Sequence, residues 1–303
     1  MIDNDNPLIF THIPKTGGMS LFASLSEHYG IKIADMYNMS ALDENHAAVA
    51  EVLENSDFAV YAGHFPFGLH EWLSRPSYYM AFLRKPLERV ISLYHYSIGF
   101  RSIMRKTHKI TGKTMQDQIK SGEHPDFYTD FLPWIEGNQT LSMFLNCKSP
   151  ELDNGMVRRF SGLGLLPALC PLEALDLAKQ NIEKYYSLVG IQERYAESVD
   201  LARAVFKINF KELHVNKGKY TQKNATKLTM SLKLRIRNMN QLDTRLYDWV
   251  LERFEKALVA PPQPILVDGK SRSDFDQVKL WYAIGSSPMR KAAMELSPAS
   301  SGR

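Results

Sequence analysis

Pro7-Leu8-Ile9-Phe10-Thr11-His12-Ile13-Pro14-Lys15-Thr16-Gly17-Gly18-Met19-Ser20 is the stretch on which the fold turns. Its first seven residues read as a short, mostly apolar strand. Met19, Leu21, Phe22, Leu25 and Tyr29 then recur at helical spacing, up to the stop signal Gly30. A strand that feeds a helix through Gly17-Gly18 makes a ready anion site. The glycines allow a tight turn and close backbone approach, and the helix start offers N–H groups and its positive end. Lys15 adds a full charge, and Thr16 and Ser20 add hydroxyls. Residues 15–20, Met19 included, therefore form the expected loop for a phosphate or sulfate group. The loop departs from the Gly-x-x-x-x-Gly-Lys-Ser/Thr pattern, because its lysine precedes the glycines and no glycine lies upstream.

Outward from this stretch, strands are expected at 31–37, 58–64 and 77–83, with a helix at 46–55. Arg84-Lys85-Pro86 opens another helix, with Pro86 in its first turn, where proline is tolerated. Val90, Ile91, Leu93 and Tyr94 supply its apolar side. Alternating strands and helices predict an α/β fold with a central parallel sheet flanked by helices. Further on, helices are expected at 115–120, 139–145, 172–185 and 194–206, with a strand at 187–191. A long helix over 241–258 puts Leu242, Leu246, Trp249, Val250 and Phe254 on one face, and Pro261-Pro262-Gln263-Pro264 ends it. Neither a repeat nor a linker interrupts the chain. The expected organisation is one domain over 1–267, followed by a polar tail over 268–303 whose last residues have the composition of a disordered segment.

Composition agrees with a soluble globular protein: 303 residues, 44% hydrophobic, 23% charged, net charge +4. It excludes disordered, collagen-like and coiled-coil chains. With no apolar run of about 18 residues, no membrane span is expected. Residues 1–6 are polar and acidic, unlike a secretory signal, so the expected location is cytoplasmic. The two cysteines, Cys147 and Cys170, are too few for a disulfide framework and read as reduced thiols. Residues 203–237 hold ten basic residues and one acid, a net of +9, which leaves −5 for the rest of the chain. Such a stretch is either a solvated face or the wall of an anion site. No nucleic-acid-binding motif accompanies it, and no His/Cys/Asp cluster has metal-ligand spacing, so neither nucleic acid nor a metal is expected.

A second segment, Phe82-Leu83-Arg84-Lys85-Pro86-Leu87-Glu88-Arg89-Val90-Ile91-Ser92-Leu93-Tyr94, places Arg84 at a strand end and Ser92 about two helical turns on. An arginine fork with a nearby hydroxyl suits a terminal phosphate. Together the two segments resemble the sulfotransferases that use 3′-phosphoadenosine 5′-phosphosulfate (PAPS), in particular the branch that includes heparan sulfate 2-O-sulfotransferase and its soluble bacterial relatives. Val189-Gly190-Ile191-Gln192-Glu193-Arg194-Tyr195, Arg158-Arg159-Phe160-Ser161-Gly162, Asn138-Gln139-Thr140 and Leu242-Asp243-Thr244-Arg245-Leu246-Tyr247 extend the likeness over residues 7–258.

The resemblance implies that Lys15, Thr16, Gly17, Gly18, Met19 and Ser20 hold the 5′-phosphosulfate, and that Arg84 and Ser92 hold the 3′-phosphate. It also implies that a basic loop with Lys217 closes over the nucleotide. Tyr61-Ala62-Gly63-His64-Phe65 carries one histidine where that branch has a His-x-His pair, so His64 inherits the role of base. A histidine with a free pKa of about 6.5 suits that task. Glu88 is the alternative base, expected instead to pair with Arg89 or a neighbour, and His12 is expected to orient backbone. Lys15 would carry the charge that stabilises the leaving phosphate. The implied reaction moves a sulfuryl group from PAPS to a hydroxyl of a carbohydrate, small molecule, lipid or carrier-bound acyl chain. The acceptor pocket is expected within 100–149, which holds no motif. Two other readings stand beside it. One is a nucleotide kinase with a variant phosphate loop, disfavoured by the lysine position and by the lack of a Mg²⁺-holding acid after the third strand. The other is a non-catalytic sensor of 3′-phosphoadenosine 5′-phosphate (PAP).

Overall fold

Five parallel strands form one sheet in the order β2-β3-β1-β4-β5. They are β1 (Leu8–Thr11), β2 (Ile33–Asp35), β3 (Val60–Gly63), β4 (Tyr78–Leu83) and β5 (Tyr186–Ile191). The computed structural model describes residues 2–35, 53, 57–104, 140–162, 170–213 and 228–269. The expected helix at 115–120, most of that at 46–55, Lys217, and the tail from residue 270 lie outside the described residues.

Strands β1, β3, β4 and β5 are buried along their whole length. Helices cover both faces of a parallel sheet, so such strands read as apolar runs without alternation. Their register sets Thr11 beside Gly63 and Ala81, and Leu83 beside Ile191. The C-terminal ends of β1, β3, β4 and β5 therefore share one edge. From β1 the chain moves outward to β2 and back to β3. It then crosses to β4 and continues outward to β5 on the other side. Connections diverge between β1 and β4, and that divergence opens a crevice at the carboxyl ends of the strands.

Eight helices accompany the sheet among the described residues: α1 (Gly18–Tyr29), α2 (Pro86–Met104), α3 (Leu141–Phe144), α4 (Gly155–Ser161), α5 (Glu173–Tyr185), α6 (Tyr195–Phe206), α7 (Met230–Met239) and α8 (Gln241–Val259). α8 buries Leu242, Leu246, Tyr247, Val250 and Phe254. Tyr247 takes the buried place expected for Trp249, whose half-buried ring instead lies under the cations of Lys179 and Arg253. A second apolar cluster joins Val90, Leu93 and Tyr94 of α2 to Leu141 and Phe144 of α3 and Ile236 of α7. After α8, the Ser187 hydroxyl accepts the Ile265 N–H (2.9 Å), and Val267 pairs antiparallel with Ser77. These bonds stitch residues 265–267 to the amino ends of β5 and β4, opposite the crevice. Cys147 and Cys170 are free thiols.

Candidate active site

The crevice between β1 and β4 holds both segments that the sequence singled out. The Arg84 guanidinium, at the end of β4, donates from Nη1 to the Lys15 carbonyl (3.2 Å), across 69 residues of sequence. Lys15 itself has φ +70, a left-handed conformation costly for a side chain with a Cβ. Gly17 follows at φ +87. A Cβ on Gly17 would stand 2.9 Å from Cγ of Gln192, and one on Gly18 would stand 2.0 Å from Cδ2 of His12. The turn and a close neighbour both favour glycine at 17, and the His12 ring leaves no room for a Cβ at 18. The Thr16 side chain is buried and donates from Oγ1 to the Ile13 carbonyl (2.8 Å). That hydrogen closes the turn. The positive end of α1 faces the loop with no acidic residue in its first turn. Met19 is exposed there and Ser20 is half-buried.

Two cations converge at the crevice. Burial, and secondarily the Arg84 charge, pull the Lys15 ammonium down to about 8, so it remains mostly protonated at neutral pH. Burial also disfavours the Arg84 charge, which Glu193 and Glu88 partly restore. Arg84 Nε is buried without a hydrogen-bond partner among the described residues.

The Lys15 Nζ sits 4.0 Å from the centroid of the Tyr96 ring, a cation–π contact absent from the sequence reading. Tyr96 lies one helical turn beyond Ser92 and two beyond Glu88 on α2, so the three share a face. Ser92 is half-buried on this face, and no described hydrogen bond joins it to Arg84. Glu88 is exposed. Of the expected partners, Arg89 or a neighbour, the Glu88 charge supports its neighbour Arg84 rather than Arg89, which α2 turns into the core. There its Nη1 meets Glu151 Oε2 at 3.1 Å and its Nη2 meets Asp243 Oδ2 at 3.7 Å.

His64 follows β3 directly, at the same sheet edge. Its Nδ1 lies 2.7 Å from the His12 carbonyl oxygen. A carbonyl only accepts, so Nδ1 carries the proton and Nε2 keeps the lone pair. The single histidine of residues 61–65 gains a second ring from β1: the His12 imidazole lies 4.7 Å away, stacked in turn on Phe10. Burial, then the nearby Arg159 charge, lower the His64 pKa to about 4, with the bond to His12 and the Glu151 charge opposing. His64 is nonetheless partly open to solvent at its exposed face. Solvent at that face tempers the shift without reversing it. His12 is fully enclosed, and burial followed by the His64 and Arg159 charges holds it well below the usual range. Both rings are neutral at pH 7.

Behind His64 lies a buried charge cluster. Arg159 of α4 ion-pairs with Glu151, which also holds Arg89, and all three are sealed from solvent. Burial alone would raise the Glu151 carboxyl, but Arg159 and Arg89 bring it below its ordinary value. The Arg159 carbonyl accepts the Phe67 N–H (2.8 Å), which ties the loop after His64 to α4. Asp243 accepts the N–H groups of Met156 (3.2 Å) and Val157 (2.8 Å), and Asn154 accepts those of Leu242 (2.9 Å) and Asp243 (3.1 Å). Each residue thus caps the other's helix. No helix among the described residues is long and apolar enough to cross a membrane, and no group of three or more potential metal ligands occurs among them.

The geometry is that of a cationic crevice beside a neutral imidazole. The sequence model of the Sulfotransferase family matches residues 1–255, and the chain belongs to that family, whose reaction is the transfer of a sulfuryl group. No curated protein matches the chain.

Proposed function

We propose that this protein transfers the sulfuryl group of PAPS to a hydroxyl-bearing acceptor, with Lys15 and His64 as catalytic residues. The observation that carries the reading is the Arg84–Lys15 hydrogen bond at the strand divergence. It joins two cationic loops into one cleft, with the buried Arg84 Nε beside them. The α1 N-terminus, Gly17 and Gly18 suit the 5′-phosphosulfate, and Arg84, with Ser92 on the adjoining helix face, suits the 3′-phosphate. Lys217 would close the site. The resemblance of residues 7–258 to the heparan sulfate 2-O branch supports a sugar hydroxyl as acceptor, with small or carrier-bound alcohols next. Residues 1–267 would form the catalytic domain.

When bound, the donor supplies a sulfuryl group whose departure leaves negative charge on a phosphate oxygen. The Lys15 ammonium stabilises that charge more in the transition state than in the ground state. His64 holds its Nδ1 proton on the His12 carbonyl and offers Nε2 to the acceptor hydroxyl. The low pKa keeps that lone pair available at neutral pH. It also makes the imidazole a weak base, so the entering anion's field has to raise it.

Titration calorimetry with PAP and with adenosine 5′-phosphate, together with PAPS turnover against a panel of sugars, lipids and carrier-bound alcohols, tests the proposal. The expected result is clear preference for PAP and acceptor-dependent turnover. Tight PAP binding without turnover on any acceptor would identify a sensor, and equal affinity for both nucleotides would remove the donor assignment.

A further inference from the structure

A third loop braces both anion loops. The short helical turn Gln192–Arg194 leaves β5 at the same sheet edge. Gln192 occupies the space beside Gly17. Glu193 reaches the other loop: Oε1 accepts the Lys85 N–H (2.9 Å), and Oε2 accepts the Tyr247 hydroxyl of α8 (3.0 Å). Lys85 stands between Arg84 and the first residue of α2, so its N–H belongs to the peptide attached directly to the Arg84 Cα. It is also among the donors that a helix start leaves without intrahelical partners. Fixing that N–H fixes the backbone from which the Arg84 side chain projects.

A carboxylate beside an anion site opposes the ligand through its charge. Both Glu193 oxygens accept hydrogen bonds from fixed donors, and the residue joins β5, α2 and α8 at one point. We infer that Glu193 is a positioning residue that holds Arg84 in register for the 3′-phosphate, with Tyr247 as its anchor, and thereby sets the preference for a 3′-phosphorylated nucleotide. The inference rests on the PAPS reading above.

Two variants separate reach from charge. Glu193→Asp keeps the charge and shortens the side chain by one methylene. Glu193→Gln keeps the length and an acceptor for the Lys85 N–H but loses the charge. Dissociation constants for PAP and adenosine 5′-phosphate are measured by calorimetry on the full chain, with melting temperatures recorded alongside. Glu193→Asp should weaken PAP about tenfold, the equivalent of one lost hydrogen bond to a charged group, and adenosine 5′-phosphate less than about threefold. Glu193→Gln should leave both within about threefold. The reverse pattern, with Gln altering affinity and Asp silent, would make the role electrostatic and overturn the inference. Equal weakening of both nucleotides by Glu193→Asp would overturn it too, as general support of the fold. A wild-type protein that does not prefer PAP overturns the donor reading and the inference together, so the two failures are told apart in the wild type.

Discussion

Lys15 combines a chemical requirement with a conformational cost. Its φ of +70 is disfavoured by about 1–2 kcal/mol for any residue with a Cβ, and glycine escapes that cost. Lys15→Ala and Lys15→Gly should therefore both lose about 10²–10³ in turnover, while the glycine variant is the more stable of the two by roughly 1 kcal/mol in denaturant melts. Turnover within threefold of wild type in either would remove Lys15 from the mechanism. His64 is the second residue whose behaviour departs from its free value. The expectation of a base near 6.5 gives way to an imidazole held at about 4 by burial and by Arg159. The acid limb of kcat/KM should accordingly lie near pH 4–5. The same shift has a sign for stability. Above about 6.5 the ring is neutral in both states. As pH falls from there toward 4, the unfolded chain takes up a proton that the folded chain refuses, so stability is lost across that window. His64→Ala should flatten this fall in unfolding free energy; an unchanged slope would mean the ring is not shifted. Sequence patterning reveals neither effect, because backbone strain at Lys15 and the field at His64 come from distant neighbours. His64, Lys15 and Arg84 were legible as residues, whereas Tyr96 and Glu193 were not. Tyr96 had only its helical spacing from Ser92 as a signal, and Glu193 only its place in the Val189–Tyr195 segment, two residues past a strand.

At the scale of elements, strands and the longer amphipathic helices were legible. Apolar runs mark strands buried on both faces, and period-3.6 patterns mark α5, α6 and α8. Two of the misses have a common cause. α4 begins at Gly155 and carries Arg158 and Arg159 facing inward, so no apolar stripe announces it. Its burial depends on ion pairs with Asp153 and Glu151, residues that precede the helix. The Glu88–Arg89 pairing failed for the same reason, since Arg89 has its partners on two other elements. Glu151→Gln should leave Arg89 and Arg159 short of a buried counter-charge and cost roughly 3–5 kcal/mol of unfolding free energy. The measurement is a denaturant midpoint at unchanged m-value. A loss under about 1 kcal/mol would show that water or relaxation replaces the pair. Because the Glu151 charge opposes the lowering of the His64 pKa, the same variant should move the acid limb of turnover to lower pH.

Over the whole molecule, the proposed function depends on the point where the sheet's connections part. Lys15 and Arg84 both belong to that crevice and share a hydrogen bond, so their effects should not add. Arg84→Ala should weaken PAP by roughly 10- to 150-fold, the range for a charge-assisted contact, and Lys15→Ala/Arg84→Ala should lose less turnover than the product of the single variants. Strict multiplicativity would mean that the two loops act independently. The sequence by itself determined the parallel α/β sheet, the glycine turn after β1, the arginine after β4 and the histidine after β3. Those features are local: apolar runs, glycines at a turn, and residues at strand ends. Only the tertiary structure decided that the His12 carbonyl sets the His64 tautomer, that Tyr96 receives the Lys15 ammonium, that Arg89 turns inward and that Glu193 fixes the Lys85 N–H. Each of these contacts, save the turn-by-turn spacing along α2, joins residues from separate elements. Their meeting follows from strand order and register, which no single stretch of sequence contains.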